Sequence, residues 1–361
     1  MNKTIRVLHT EWSEGWGGQE IRIIDEMKVI RSKDVEVFLA CKNNSIIKIK
    51  ALESDIKVFT LPFKGNMDLK TLFSLNKIIK KYSIDIVNTH SGKDSWVGGL
   101  AARISGVKFI RTRHLSNPIS SSRFNFINEL ADYIFTTGES VKDNMIKHNR
   151  IKANKIASIP TGINTQVFNI NRYERQKCRK QFNINEGEIV IGIIAVLRQF
   201  KRHDLFLKMA NSLIEQYPEK KLTFLIAGDG PQKSNIIDLI VDLGLAQNVH
   251  MLGHIDQVPQ LLTAIDILVL TSDSKEGVPQ SVMQALFMKK SVVASNSGST
   301  KDLFFNDNFQ LVKTNSIIDL VRGVSFYLNK DNINKNRVLI DEKFSLKFMS
   351  SKILEIYNHI L

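Results

Sequence analysis

The sequence predicts an α/β protein of two doubly wound domains, each with a parallel sheet and helices on both of its faces. Its 361 residues are too many for one ordinary hydrophobic core. Short apolar segments typical of buried strands alternate with helical segments along the chain, which is the pattern of parallel sheets. A polar, irregular stretch at residues 164–188 interrupts this alternation before it restarts. The interruption predicts a connection between two domains.

Each half of the chain contains its own series of predicted strands. In the first half the apolar segments are 5–9, 35–40, 57–61, 84–90, 107–113, 133–137 and 155–160. In the second half they are 189–197, 222–228, 249–253, 266–272 and 291–295. The last residues predict an amphipathic helix over 344–361.

The composition is that of a soluble globular protein, with 43% apolar and 24% charged residues. No apolar run approaches the roughly 18 residues needed to span a bilayer. The opening residues, MNKTIRVLHTEW, lack the long apolar core and the cleavage site of a signal peptide, and they predict a first strand instead. Cys41 and Cys178 have neither metal-type nor C-x-x-C spacing, so we expect two free thiols in a reducing cytosol.

The net charge of +14 has two interpretations. Lys, Asn and Ile are abundant throughout, as an AT-rich genome would produce. Alternatively, the charge attracts an anionic partner, either a nucleic acid or a membrane surface. The segment 68–82 mixes Leu, Phe and Ile with Lys at helical spacing, which suits either a helix packed on its own sheet or one that docks on anionic lipid. No zinc spacing, helix-turn-helix pattern or aromatic-basic strand pair predicts binding to nucleic acid.

Residues 276–288, EGVPQSVMQALFM, form the most informative segment of the chain. They follow the predicted strand 266–272 and run into an apolar helix. Gly277 lets the backbone approach a ligand closely, and Pro279 suits the first turn of a helix, where an N–H would be unpaired anyway.

The start of this helix predicts an anion site. Free N–H groups and the helix dipole favour negative charge there, and the amides concerned are those of Ser281, Val282 and Met283. The Glu276 carboxylate beside them can bind hydroxyl groups. A carboxylate for hydroxyls next to a cradle for phosphate predicts a sugar-nucleotide site, and the alternative is an ordinary βα turn.

The segment resembles retaining glycosyltransferases of family 4, which have the GT-B fold. That family carries Glu-Gly-x-Pro and a second Glu eight positions after the first. Glu276 matches the first Glu, which the resemblance implies holds sugar hydroxyls of the donor. Gln284 stands at the second position, which holds the ribose in the family. Because Gln forms hydrogen bonds without a charge, the resemblance implies weakened or retuned ribose binding.

The segment 196–204, VLRQFKRHD, resembles the part of the family that neutralises the donor diphosphate with an Arg and a Lys five positions later. Lys201 matches the Lys, whereas Val196 stands at the Arg position, so we expect Arg198 to substitute. Cations here stabilise a departing nucleoside diphosphate. The alternative is the basic rim of a helix.

Two glycine-containing turns resemble further parts of the family. EGWGGQE (14–20) matches its Gly-Gly loop near the transferable phosphate, and AGDGP (227–231) matches its G-x-G-P turn beside the nucleotide. The first turn lacks the G-x-G-x-x-G pattern and the distant acid of a dinucleotide site. An ordinary βα turn is the alternative there.

Two histidines follow predicted strands, where open α/β sheets bind their ligands. TRHLS (112–116) resembles the family segment whose His reaches the donor sugar, which implies that role for His114. THSGKDS (89–95) resembles the acceptor-side turn, which implies acceptor contacts for His90 and Lys93. A purely structural role is the alternative for either histidine.

The resemblance covers nearly the whole chain and is strongest over 196–304. It implies the GT-B fold, in which two Rossmann-like domains face a central cleft. The expected domains are an acceptor domain at 1–165, a nucleotide-sugar donor domain at 166–345, and a C-terminal helix at 346–361 that packs on the N-terminal domain.

The site residues implied by the resemblance fall into three groups. The catalytic residues are His114, Glu276, Lys201 and Arg198. The donor-binding residues are Gly17, Gly18, Gly228, Gly230, Gly277, Val278, Pro279, Gln280, Ser281, Val282 and Gln284. The acceptor residues are His90 and Lys93, and no metal ligand is expected.

The implied activity is a retaining, metal-independent transfer of a hexose-type sugar from a nucleoside-diphosphate sugar, with a UDP-sugar favoured over a GDP-sugar. No cofactor is required, and the sequence contains no D-x-D motif. HTEWSEGWGGQEIRI (9–23) resembles enzymes of bacterial lipopolysaccharide and other surface polysaccharides, such as O-antigen and capsule. We therefore expect a glycan or lipid-linked glycan acceptor, a cytoplasmic location, and peripheral contact with the anionic inner face of the plasma membrane.

Two other functions fit the same sequence. A nucleotide-sugar 2-epimerase of this fold would need no acceptor. A degenerate, non-catalytic binding subunit would account for Val196 and Gln284, and charge-driven, salt-dependent binding to nucleic acid belongs with it.

Overall fold

The computed structural model of the protein describes residues 4–115, 126–273, 276–305, 309–329 and 342–361. The chain divides into two compact units. Unit 1 comprises Met1–Gly162 and Glu342–Leu361, and unit 2 comprises Ile163–Asp341. Each unit is an α/β assembly around its own parallel sheet, as the sequence predicts.

Within the described part of unit 1, seven strands form one sheet. These strands are β1 (Ile5–Glu11), β2 (Val35–Cys41), β3 (Lys57–Thr60), β4 (Ile86–Thr89), β5 (Lys108–Arg113), β6 (Tyr133–Thr136) and β7 (Ile156–Ser158). The helices are α1 (Gly18–Ile30), α2 (Ile46–Leu52), α3 (Leu69–Lys81), α4 (Gly92–Ser105), α5 (Glu139–Asn149) and, at the end of the chain, α12 (Leu346–Ile360).

Within the described part of unit 2, six strands form the second sheet. These strands are β8 (Ile189–Ile194), β9 (Leu222–Ala227), β10 (Val249–Gly253), β11 (Ile267–Leu270), β12 (Ser291–Ser295) and β13 (Gln310–Val312). The helices are α6 (Arg175–Gln181), α7 (His203–Gln216), α8 (Lys233–Asp242), α9 (Val258–Ala264), α10 (Gln280–Phe287) and α11 (Ile317–Leu328).

The strand order reverses direction once in each sheet. It is β3-β2-β1-β4-β5-β6-β7 in unit 1 and β10-β9-β8-β11-β12-β13 in unit 2. The chain therefore leaves β1 toward one edge and returns at β4 on its other side, and it does the same between β8 and β11. Ligands of open parallel sheets bind beyond the carboxyl ends of the strands at such a reversal.

Side chains alternate between the two faces of the unit 1 sheet, and each face packs on its own helices. Val7, Ile86 and Ile110 pack toward α1 and α12. Leu8, Val87 and Phe109 pack toward α3 and α4. Both faces are apolar because the crossovers between parallel strands place helices on both sides.

The final helix belongs to unit 1, which confirms the prediction that it packs on the N-terminal domain. Met349, Ile353 and Tyr357 are fully buried and join the core on the α1 side. The returning segment packs closely on the end of the first segment of unit 1. A Cβ on Gly162 would lie only 2.6 Å from the Cα of Leu346, the first residue of α12. Among the described residues no helix is long and apolar enough to cross a membrane.

One strand of unit 2 was not predicted from the sequence. β13 pairs with β12 at the edge of the second sheet, with Val293 opposite Gln310. Its three residues are too few to show a periodic pattern, so it was wrongly omitted. A second difference is the end of the first strand in this unit, since β8 ends at Ile194 rather than at Leu197.

Candidate functional site

The predicted site residues of unit 2 lie beyond the reversal in its strand order. Lys201 is in the 3-10 turn Gln199–Lys201 that follows β8, and Glu276 follows β11. These two strands are neighbours in the sheet. The topology therefore brings together two segments that are far apart in sequence.

Lys201 and Glu276 are in direct contact through the lysine Nζ and the glutamate Oε1. The Ser272 hydroxyl donates to the same oxygen at 2.9 Å. The Thr271 hydroxyl donates to the Lys201 backbone carbonyl at 2.8 Å, which ties the lysine turn to the end of β11. The side chains of Lys201 and Glu276 are only 16% and 7% exposed, so this ion pair is largely withdrawn from solvent.

Helix α10 begins directly beside Glu276, but its first turn differs slightly from the prediction. Pro279 is the extended N-cap residue rather than the first helical residue. The Met283 amide therefore donates within the helix to the Pro279 carbonyl, at 3.2 Å, and is wrongly assigned to the anion site. Ser281 and Val282 occupy the next positions of the first turn, where backbone N–H groups lack intrahelical acceptors. The helix dipole and these amides favour an anion.

The two glycines of the AGDGP turn have a definite structural role. Gly228 has φ +145° and Gly230 has φ +154°, which side-chain-bearing residues rarely adopt. A Cβ on Gly228 would lie 1.9 Å from the Ala195 carbonyl oxygen, and one on Gly230 would lie 2.7 Å from the Leu197 carbonyl oxygen. The glycines let this turn approach the loop between β8 and Lys201. Donor contacts by these glycines stay a prediction.

The loop beside them carries Arg198, which is exposed, and Val196, which is half-buried. The Leu197 amide donates to the Asp229 carbonyl at 3.0 Å, so the loop is held from one side by the glycine turn. Arg202 is occupied elsewhere, since its guanidinium donates to both carboxylate oxygens of Asp204 at 2.9 Å. Arg198 is therefore the exposed arginine of this loop.

A group of buried hydroxyls near Glu276 was not predicted as part of the site. Among the described residues, the side-chain oxygens of Ser295, Ser297, Ser299 and Thr300 are buried without a hydrogen-bond partner. The Ser299 amide donates to the Glu276 backbone carbonyl at 3.3 Å, which places this loop next to the glutamate. Buried hydroxyls normally have partners, so these are available for a bound polar molecule.

The Gly-Gly turn of unit 1 is positioned by a buried acid. Gly17 is the extended N-cap residue of α1 and Gly18 is its first residue. The Glu11 carboxylate, at the end of β1, accepts from the Gln19 side chain and from the Ser13 amide. Burial raises the pKa of Glu11 well above its usual value, and the nearby Asp94 carboxylate raises it further. Glu11 was missed because a single acid after a strand carries no motif.

Three histidines of unit 1 form a continuous buried chain. His114 Nε2 lies 3.0 Å from His90 Nδ1. His90 Nε2 lies 2.9 Å from His9 Nδ1, and these two rings stack with centroids 5.2 Å apart. His9 lies two residues before the end of β1, and His90 and His114 directly follow β4 and β5. The structure thus brings together the two predicted histidines and adds His9, which sequence analysis missed because it lies inside a strand.

The histidine chain lies on the sheet face that packs on α1 and α12. Deeper on this face the apolar core gives way to a second polar group, in which Asn88 donates to the Glu26 carboxylate at 3.1 Å. The fully buried Arg22 of α1 lies 3.6 Å from Glu26. Burial raises the pKa of Glu26 to about 7, against the opposing effect of Arg22.

The histidines are held in the neutral state. Burial lowers the pKa of His9 to about 3. Burial lowers the pKa of both His90 and His114 well below the usual value, and the positive charge of Arg22 contributes to both. An imidazolium in this environment would lose most of its hydration, and that is why burial disfavours the charged form.

Lys93 lies beside an aromatic ring at the same sheet edge. Its Nζ is 4.0 Å from the centroid of the Trp12 ring, and the Lys42 Nζ is 5.1 Å from it. Trp12 follows β1, Lys42 follows β2, and Lys93 is in the first turn of α4. Lys42 also pairs with Glu14 at 3.1 Å, so the two lysines, one acid and the indole form an amphipathic surface with a ring and net positive charge. Sequence analysis missed the indole because it belongs to none of the recognised motifs.

A metal ion would need several ligating side chains close together in the described ranges. Within them, no group of three or more His, Cys, Asp or Glu residues is arranged to hold a metal ion.

Two Rossmann-like parallel-sheet units, with the last helix packed on the first, define the GT-B class of glycosyltransferases, and solved structures of that class share the fold. A glycosyltransferase from Rickettsia africae has a TM-score of 0.87 and 22% identity, covering 99% of this chain and 98% of the other. Anabaena Alr3699/HepE in complex with UDP-glucose has a TM-score of 0.85 and 19% identity, covering 98% and 100% of the two chains.

Two family models match the sequence, one on each half. The model of Glycosyltransferase Family 4 matches residues 16–167, and that of Glycosyl transferases group 1 matches residues 174–343. The chain therefore belongs to the group 1, family 4 glycosyltransferases and is a glycosyltransferase. A similar curated protein is the Escherichia coli UDP-Gal:alpha-D-GlcNAc-diphosphoundecaprenol alpha-1,3-galactosyltransferase, with 25% identity over 89% of this chain and 87% of that protein.

Proposed function

We propose that the protein transfers a hexose, with galactose as the first candidate, from a UDP-sugar to a glycan on a polyprenyl diphosphate. The transfer retains the configuration of the anomeric carbon and needs no metal. The observation that carries the proposal is the contact between Lys201 and Glu276 beside the start of α10. The similarity to an Escherichia coli galactosyltransferase supports the choice of donor and acceptor.

The donor site would use this arrangement in two parts. The sugar hydroxyls would bind Glu276, whose carboxylate Ser272 already positions. The diphosphate would bind the amides of Ser281 and Val282 at the start of α10, with Lys201 and Arg198 supplying positive charge. Lys201 would then exchange part of its contact with Glu276 for contact with phosphate. Cations and amides together replace the charge that a divalent metal would otherwise supply.

The reaction needs no separate general base. The bond between the anomeric carbon and the phosphate oxygen breaks, and a bond from that carbon to the acceptor oxygen forms on the same face. The acceptor hydroxyl gives its proton to the departing phosphate oxygen, which yields UDP and the glycoside. The chain's residues bind and orient both groups and stabilise the negative charge on the leaving group.

The proposal is tested by incubating the purified protein with UDP-galactose, UDP-glucose, UDP-N-acetylglucosamine and GDP-mannose, each with a GlcNAc-diphosphate lipid and without added metal. We expect one UDP-hexose to give a disaccharide lipid with a retained anomeric configuration, assigned from its proton coupling. Loss of activity in Lys201→Met but not in Lys208→Met, an exposed lysine on α7, would localise the donor site.

Other outcomes would overturn the proposal. An inverted linkage would exclude the retaining reaction. Conversion of the UDP-sugar without an acceptor would identify a 2-epimerase. Binding of UDP without any product, across the whole panel, would identify a non-catalytic subunit.

The acceptor would bind unit 1 at Trp12. The indole suits the apolar face of a sugar ring, and the ammonium groups of Lys42 and Lys93 suit the diphosphate that links the sugar to its lipid. We expect Trp12→Leu to raise the KM for the lipid acceptor about tenfold while the KM for the UDP-sugar is unchanged. An equal change in both KM values would exclude an acceptor-specific role.

A lipid-linked acceptor requires the enzyme to reach a membrane surface, and the outer face of α3 suits that contact. Thr71, Leu75 and Ile79 form the buried face of this helix. On the opposite side Leu69 and Phe73 are 60% and 68% exposed, and Met67 just before the helix is 87% exposed. Lys70 and Lys77 are exposed on the same helix. Apolar side chains among lysines are typical of a surface that enters the headgroup region of an anionic bilayer.

Vesicle co-sedimentation tests this contact. We expect binding to vesicles with phosphatidylglycerol, weaker binding to pure phosphatidylcholine, and a clear loss in Phe73→Ser and in Lys70→Glu. The matched control is Val241→Ser, which removes a side chain 67% exposed on α8 of unit 2. Binding independent of lipid charge, or equal loss in the control, would contradict the assignment.

A further inference from the structure

The histidine chain of unit 1 consists of three rings, two shared contacts and two terminal nitrogens. The contacts are His114 Nε2 to His90 Nδ1 and His90 Nε2 to His9 Nδ1. His9 and His90 are 0% and 3% exposed, and His114 is 8% exposed. Because each ring shares its nitrogens with the next, the position of one proton determines the positions of the others.

Only two proton arrangements satisfy both contacts when all three rings are neutral. A neutral imidazole has one N–H donor and one acceptor nitrogen. Either each ring carries its proton on Nε2 and donates from His114 toward His9, or each carries it on Nδ1 and donates from His9 toward His114. The two arrangements differ in the group that His114 offers at Nδ1, which is a bare acceptor in the first and an N–H donor in the second.

The inner end of the chain favours the second arrangement. His9 Nε2 is buried, and no described residue forms a hydrogen bond with it. In the first arrangement this nitrogen would carry a buried N–H without an acceptor, and unpaired buried N–H groups are rarer in proteins than underused acceptors. In the second arrangement it is an unused lone pair, and both inner N–H groups have an acceptor; the outer N–H, on His114 Nδ1, is not among the buried nitrogens without a partner.

The surroundings keep all three rings neutral, so the chain must adopt one of the two proton arrangements. The Arg22 guanidinium acts on both His90 and His114 and disfavours a second proton on either ring. The backbone at His90 is also held, because its amide donates to Asp94 Oδ2 at 2.9 Å and the Thr10 hydroxyl donates to the same oxygen at 2.7 Å. The middle ring therefore has little freedom to turn away from its partners.

We propose that His9 and His90 are positioning residues that fix the proton of His114 on Nδ1, so that His114 presents a neutral N–H donor to an oxygen of a substrate bound at the carboxyl edge of the unit 1 sheet. This rests on the proposed function, since it takes a substrate of the sugar transfer to reach the carboxyl edge of the unit 1 sheet. A sugar hydroxyl or a phosphate oxygen can accept such a hydrogen bond, whereas a bare Nδ1 would repel a phosphate oxygen. The free protein already holds the His114 proton on Nδ1, before any substrate binds.

The tautomers are measured directly on the wild-type protein labelled with 15N-histidine. Long-range 15N–1H correlation spectra distinguish a ring protonated on Nδ1 from one protonated on Nε2, and single-histidine variants assign the signals. We expect Nδ1 protonation at His9, His90 and His114 across pH 6–8. Nε2 protonation at His114, or a ring that titrates within this range, overturns the proposal.

Two substitutions of His9 test the effect on transfer. In His9→Asn the amide can still donate from near the position of Nδ1, whereas the carboxylate of His9→Asp can only accept and so favours a proton on His90 Nε2. We expect about a tenfold loss of kcat in His9→Asp, equal to the value of one hydrogen bond, and at most roughly a threefold loss in His9→Asn. His114 should show Nε2 protonation only in the aspartate variant. Equal losses in both variants, or an unchanged tautomer in His9→Asp, would contradict the positioning role.

The two measurements separate the inference from the proposed function. If the tautomers are as stated but no panel donor reacts, the proposed function fails and the proton arrangement stands. If transfer is observed but His114 carries its proton on Nε2, the arrangement fails and the function stands. His250→Leu, at an exposed histidine of β10 in unit 2, is the control for nonspecific effects of losing a histidine.

Discussion

Lys201 and Glu276 are separated by 75 residues of sequence and share a contact at the reversal of strand order in unit 2. Each residue alone resembles a common feature of α/β proteins, a lysine at a helix rim or an acid after a strand. Their contact shows that the two segments form one site. It also means that each side chain contributes to the stability of the free enzyme, so loss of activity in a single variant must be separated from loss of folding.

A double-variant cycle makes that separation. We expect Glu276→Ala to lower the free energy of unfolding by about 3 kcal/mol, because it leaves the largely buried Lys201 charge without a partner. Adding Lys201→Met should restore stability to within about 1 kcal/mol of the wild type but leave the enzyme inactive. Urea unfolding followed by circular dichroism gives the stabilities, and full additivity of the two losses would exclude a coupled pair.

Gly228 should not tolerate a side chain. Gly228→Ala would place a Cβ 1.9 Å from the Ala195 carbonyl oxygen at a residue with φ +145°, so the turn or the neighbouring loop must move. We expect a loss of about 3 kcal/mol in unfolding free energy, together with weaker donor binding because the loop carries Arg198. Gly65→Ala is the control, since nothing lies within 4 Å of its Cβ position. Comparable stability of the two variants would show that the close approach is not needed.

Gln284→Glu should strengthen binding of the donor. Gln284 is half-buried on α10, and a carboxylate there can accept charge-assisted hydrogen bonds from ribose hydroxyls. We expect the KM for the UDP-sugar to fall about fivefold, which corresponds to roughly 1 kcal/mol. A higher KM would show that the site is adapted to the uncharged amide.

His203 should make the stability of unit 2 depend on pH. Burial lowers its pKa to about 4, and the nearby Lys201 charge acts in the same direction while Asp204 opposes it. Because the unfolded chain has a histidine pKa near 6.5, it binds more protons than the folded state between pH 4 and 6.5. Stability from this group is therefore present at pH 7 and is lost as the pH falls.

The magnitude follows from the same two pKa values. Between pH 7 and pH 5 the wild type should lose about 2 kcal/mol more unfolding free energy than His203→Leu, in which no proton binds at this position. Urea unfolding of both proteins at the two pH values measures the difference. Parallel losses in the two proteins would mean that the buried imidazole is not the responsible group.

The sequence was sufficient to predict the architecture because short apolar strand segments and helical segments alternate clearly. It was insufficient where a decision depends on one or two residues. β13 is too short to have a period. His9 has the position of an ordinary strand residue, and only the neighbouring strands show that its ring meets His90. Likewise, the assignment of Met283 failed because the exact first residue of a helix depends on backbone angles.

The segments that carry the site motifs lie at the two strand-order reversals, but the motifs do not predict the interactions within them. Glycine pairs signal a turn, yet Gly228 and Gly230 show that the turn approaches protein backbone as well as any ligand. The pairing of Lys201 with Glu276 requires β8 and β11 to be neighbours, which follows from topology rather than from local sequence.

The docking of α12 in unit 1 has a consequence for the order of events during synthesis. Met349, Ile353 and Tyr357 complete a hydrophobic core whose other members come from the beginning of the chain. All of unit 2 is therefore synthesised before the α12 residues that complete the core of unit 1. The core of unit 1 stays incomplete until α12 has been synthesised, so unit 2 can finish folding first even though it is translated later.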